Sequence, residues 1–114
     1  MVGPVIRRAT DVLTGALLVN ALPHVVRGLA GKRGLTPFGE DSSPGTNLAW
    51  AAMNGAGATT LLAAGGWRST DEATAARRLV AVQAGVLAMA AFGMTYELTA
   101  GRRKRAAQAA ALTT

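Results

Sequence analysis

Asn20, His24 and Arg27 stand four and then three residues apart, a spacing that puts all three side chains on one face of a helix. An imidazole in an otherwise apolar stretch can bind a metal, relay a proton or hydrogen-bond a ligand. Polar residues inside a membrane span turn toward neighbouring helices or a water-filled cavity. A plainer reading stands beside these: His24 lies near the end of its apolar run, where it can meet lipid headgroups or cap a carbonyl freed by Pro23. A single histidine with no matching carboxylate nearby is a poor metal site, so no metal ligand is assigned.

Asn47 and Asn54 are seven residues apart in a second apolar run and share a face. Asn54, well inside that run, is expected to hydrogen-bond a neighbouring helix, and Gln83 follows the same logic nearer a membrane edge. Glu97 is expected to be solvated or paired with Arg102 or Arg103, with a proton or cation site as the sharper alternative. No catalytic set is present. The histidine has no serine or cysteine at a recognisable spacing, and no glycine loop that cradles phosphate precedes a helix. With no cysteine, disulfides, thiolate catalysis and cysteine-based zinc sites are excluded.

Three apolar runs must position these residues. The first spans residues 12–29, about 27 Å of helix at 1.5 Å per residue, and Pro23 should kink it. A signal peptide is the competing reading, but no clean cleavage site follows and Asn20, Pro23 and His24 spoil the apolar middle. The second, 47–64, opens at Thr46 or Asn47 as N-cap. It is rich in alanine and glycine, and is expected to be the central, most covered helix. The third, 79–98, follows a short connector in which Ser69 or Thr70 can cap. Helix packing is assigned to Ala51, Asn54, Gly55, Gly57, Gly85 and Gly93, since small residues let membrane helices approach closely. Between the first two runs, residues 31–46 form a long loop too dense in glycine and proline for a helix. Residues 102–114 form a basic tail, with Arg102, Arg103, Lys104 and Arg105 assigned to lipid headgroups.

Half of the 114 residues are hydrophobic and 16% are charged, against roughly 25% charged in ordinary soluble domains. The length allows one domain. The expected fold is all-α: a small membrane bundle of three transmembrane helices, residues 1–101, followed by the tail. A net charge of +6 raises the possibility of a nucleic-acid binder, but the basic residues flank apolar runs instead of striping one helix, and aromatics are few. Anchoring beside anionic lipid explains them better. Arg7, Arg8, Arg68, Arg77 and Arg78 would lie on one side of the membrane. Arg27, Lys32, Arg33 and the tail cluster would lie on the other, which places the C-terminus in the cytoplasm.

The string Asn20-Ala-Leu-Pro23-His24, then Gly28 and Gly31, Thr36-Pro37-Phe38, Ser42-Ser43-Pro44, Asn47 and Trp50 resembles a family of small uncharacterised bacterial integral membrane proteins. Their pattern is N-x-x-P-H-x-x-x-G-x-x-G, a TPF turn, an SSP turn and N-x-x-W. The resemblance covers about residues 10–66 and implies a multi-pass protein of the bacterial inner membrane, without implying an activity or a cofactor. It gathers His24, both turns and Asn47 at one membrane boundary if the first two helices form a hairpin. Asn20, His24, Phe38, Asn47 and Trp50 are therefore the candidate ligand-binding set. Two functions are expected. One is a non-catalytic accessory or assembly subunit packing against itself or another membrane protein; the other is a binder or carrier of a small amphipathic molecule, a quinone or lipid, at the His24/Asn47 boundary.

Overall fold

The computed structural model describes residues 3–113. Helix α1 (Pro4–Leu29) is followed by a two-stranded hairpin, β1 (Gly34–Thr36) and β2 (Gly39–Ser42). Helix α2 (Pro44–Ala64), a single 3-10 turn (Trp67–Ser69) and helix α3 (Glu72–Leu112) complete the chain. The fold is helical, and α1 and α3 are long and apolar enough to cross a membrane. The helices outrun the apolar segments that announce them. Pro4 sits at the first turn of α1, where its fixed φ suits a helix and its missing N–H costs nothing. The helix therefore starts eight residues ahead of the apolar run, carrying Arg7, Arg8 and Asp11 with it, and continues through Pro23. Helix α3 likewise runs unbroken past Gly101 to Leu112, so the basic tail continues the third helix.

The caps differ from those expected, and each for a local reason. Ser43, not Thr46 or Asn47, caps α2: its hydroxyl accepts from the Thr46 N–H at 3.1 Å, and Pro44 takes the first turn. Asp71, not Ser69 or Thr70, caps α3 by accepting from the Thr74 N–H at 3.2 Å. Helix α1 stops at Gly31, whose φ of 68° lets Lys32 N–H reach back to Arg27 O at 2.9 Å while Gly31 N–H meets Gly28 O at 3.2 Å. This paired closure needs a left-handed residue.

The 31–46 segment, expected as a long loop, contains a short hairpin. Its two short strands pair antiparallel, Gly34 with Ser42 and Thr36 with Gly39. Side chains stitch the turn: Thr36 and Ser42 hydroxyls bond at 2.6 Å, Phe38 N–H donates to Thr36 Oγ1 at 3.1 Å, and Ser42 Oγ donates to Gly39 O at 2.9 Å.

Helix α1, not α2, is the central element; α2 and α3 each pack along it and make little contact with each other. The α1–α3 crossing is backbone on backbone. A Cβ added at Gly15 would lie 1.9 Å from Val82 O, and one at Gly85 would lie 1.8 Å from Val12 O. Gly85, one of the residues assigned to helix packing, lies at this crossing, and Gly15, which was not so assigned, meets the α3 backbone in the same way. Asn47, Ala51, Asn54 and Ala58 form the buried stripe of α2, spaced 4, 3 and 4 as a helix face requires. Gly57 meets the Leu17 side chain. Gly55 and Gly93, expected at packing faces, have open space where a Cβ would stand.

Burial is inverted relative to a water-soluble domain. Among the described residues the buried hydrophobics are Ala51 and Ala58, whereas Asp11, Thr14, Thr36, Ser42, Asn47, Asn54 and Arg78 are all buried. Leu22, Val26, Leu87, Phe92 and Met94 are each more than half exposed.

Candidate functional site

The Asn20–His24–Arg27 face of α1 meets a different element at each residue. Asn20 Nδ2 donates to Asn54 Oδ1 at 3.1 Å, and Asn54 Nδ2 donates back to Trp50 O at 2.8 Å. One turn along, His24 Nδ1 lies 2.8 Å from Asn47 Oδ1. Asn47 is fully buried, and its Nδ2 points at Ser43 O, Ser42 O and Gly34 O at 3.1, 3.2 and 3.5 Å. This asparagine therefore ties α1, the first turn of α2 and both hairpin strands together. Arg27 forms an ion pair with Glu97 of α3 and donates to Arg33 O at 3.4 Å. Glu97 thus does not use Arg102 or Arg103. The close packing of α1 on α3 puts an arginine from 70 residues away nearer to it.

Beside this ladder, α1 and α3, with Leu35 of β1, line a groove of about 430 Å³. Asn20, His24 and Arg27 form its polar wall, with Tyr96 and Glu97 across from them; Leu22, Met89, Phe92 and Met94 form much of the rest. Val19 and Pro23 are also on the wall, and since proline has no N–H, Val19 O lacks its usual helical donor. The five-residue ligand set divides here. Asn20 and His24 face the groove, and Asn47 stands behind His24. Phe38 and Trp50 do not line it. They pack edge to face, centroids 6.2 Å apart, and fold the hairpin tip onto α2. Their part is to hold the hairpin, and through it Asn47, in place.

A second polar centre lies toward the other end of α1. Arg78 donates from Nε and Nη2 to the two carboxylate oxygens of Asp11, each at 2.9 Å. Its Nη1 donates to Gly65 O at 2.9 Å and Thr70 Oγ1 at 3.0 Å, and its guanidinium lies 4.9 Å from the centroid of the Trp67 ring. Both charged side chains are about 95% buried or more. Every guanidinium nitrogen has a partner, the condition under which a buried charge is tolerated. The sequence signal was faint: an acid and an arginine, each next to an apolar run, 67 residues apart.

No group of three or more histidine, aspartate or glutamate side chains gathers among the described residues in a way that could hold a metal ion. The tail cations Arg102, Arg103, Lys104 and Arg105 are exposed or nearly so on the free end of α3. No protein-family model matches this chain, and neither a curated protein nor a solved structure matches it significantly.

Proposed function

We propose that this is a three-span protein of the bacterial inner membrane that binds or carries a small amphipathic molecule, a quinone or a lipid, in the α1–α3 groove. The observation that carries the binding role is His24, bonded from behind by Asn47, on the polar wall of a largely apolar groove. Ligand sites combine apolar lining with a few fixed polar groups in this way. Apolar side chains outside and polar ones inside suit a bilayer as solvent. Helix α2, at 21 residues, is about 31 Å long and matches a bilayer core. Its buried asparagines face α1, so its weak hydropathy does not argue against spanning. In this reading α1 bends at Pro23.

Native mass spectrometry of the full chain in nanodiscs tests this. A monomer carrying one defined small molecule, with reduced occupancy in His24→Ala, is the expected result. Recovery of the protein in the aqueous fraction without detergent would overturn the membrane assignment.

The second reading is an accessory subunit that assembles with itself or another membrane protein. One observation favours it: Gly55 on α2 has nothing within 4 Å of an added Cβ, so any close packing it serves lies against another chain. A stoichiometric oligomer or protein partner in the same spectra would select this reading.

A further inference from the structure

Building on the reading that the α1–α3 groove holds a small amphipathic molecule, we propose that its ligand is a membrane-soluble phenol or hydroquinone whose hydroxyl donates to Nε2 of His24.

Asn47 sets the direction of this hydrogen bond. One end of its amide faces Ser43 O, Ser42 O and Gly34 O. Carbonyl oxygens only accept, so that end is the NH₂ group. The other end, Oδ1, is the atom 2.8 Å from His24 Nδ1. Two acceptors would repel there, so Nδ1 carries a proton and donates. In neutral imidazole the second nitrogen then holds a lone pair. Among the described residues Nε2 has no hydrogen-bond partner, and His24 is part of the groove wall. His24 is half-buried and Nε2 is not sealed from solvent, so a ligand seated in the groove would cover this acceptor and must bring a donor to it, because a polar group buried against apolar matter without a partner is costly.

The remaining walls narrow the class. Arg27 and Glu97 pair with each other at the rim, so their charges cancel and no excess charge recruits an ionic headgroup. Met89, Met94 and Phe92 line the apolar part, and both sulfur and aromatic edges pack well against a ring. A neutral ring with a hydroxyl and an alkyl chain meets each of these demands.

The chain has one histidine, so its ring nitrogens can be read without assignment. The test uses the full chain, labelled with ¹⁵N-histidine, in nanodiscs at mildly alkaline pH. The probes are para-octylphenol and its methyl ether, which differ only in the donor. The expected spectrum has a proton on Nδ1 and a free Nε2, whose resonance moves with the phenol and not with the ether. The phenol should bind roughly threefold to tenfold tighter, the worth of one net hydrogen bond, and in His24→Phe that preference should vanish, the two probes then binding alike. A proton on Nε2 overturns the proposal, as does equal affinity for the two probes. Equal, measurable binding would leave groove binding intact, whereas failure of both probes to bind would remove the groove reading as well. The wild-type spectrum and the paired affinities decide the matter even where the variant does not fold.

Discussion

Asp11 and Arg78 leave water together, and the geometry of the pair says what each would cost alone. Removing one partner of a buried ion pair leaves an uncompensated charge, worth about 3–5 kcal/mol. Asp11→Ala should lower the thermal midpoint in detergent strongly. The double variant Asp11→Leu with Arg78→Met should recover much of the loss, since an apolar replacement needs no counterion. A double variant no better than Asp11→Ala would mean that Arg78 matters mainly through Gly65 and Trp67. Legibility at this scale was uneven. The spacing of Asn20, His24 and Arg27 was readable because a helix repeat is local, and so was a partner on another helix for Asn54. The Asp11–Arg78 bond and the choice of Arg27 for Glu97 depend on which helices touch, and local spacing carries no such information.

At the level of elements, helix contact is decided by where backbones can meet. Gly85→Ala would drive a methyl into Val12 O and must force α1 and α3 apart, whereas Gly55→Ala has free space. The first should destabilise the protein and disturb the groove; the second should leave a monomer unchanged in thermal unfolding. Equal effects would contradict the packing described. Ser43→Ala removes the α2 cap, an expected loss of about 1 kcal/mol in the same assay. At the head of α3, the Thr74 side chain and backbone N–H, with help from the Arg77 charge, hold the Asp71 carboxyl below its ordinary value of 3.8. Its contribution is present above that value and is lost as pH falls through the lower folded value. Helicity followed by circular dichroism in acid should show this loss, and Asp71→Asn should reduce the pH dependence, with the remainder left to the paired carboxylates Asp11 and Glu97. Which runs are helical could be read from apolar length alone. Where they begin could not, because Pro4, Ser43 and Asp71 set the starts from outside the apolar stretches. The hairpin escaped because seven strand residues stitched by Thr36 and Ser42 hydroxyls leave little periodic trace.

For the whole molecule, the long dimension of 63 Å comes from α3, whose last turns carry the cationic cluster clear of the other helices. Deleting residues 102–112 should leave the fold and thermal midpoint nearly unchanged. Co-sedimentation with anionic vesicles of a peptide covering residues 99–113 should be salt-sensitive, since screening weakens charge contacts at such surfaces. Salt-insensitive binding would argue against the headgroup assignment. The charge count already suggested this role; the order of the helices, with α1 in the middle, rests on Gly15 and Gly28, which composition does not single out from twelve other glycines.

The bond between Asp11 and Arg78 also constrains the order of events during biosynthesis. On a ribosome adding about 5–20 residues per second, the 67 residues separating them take roughly 3–13 seconds to appear. Through that interval the first helix carries a carboxylate without its partner, so it should wait at the membrane interface or within the insertion machinery. On the three-span reading proposed above, the two can enter the lipid as a neutral unit only when the helix that carries Arg78 arrives. That helix then releases the first, and a nascent chain arrested before Arg78 should remain extractable by alkaline carbonate while the full chain should not.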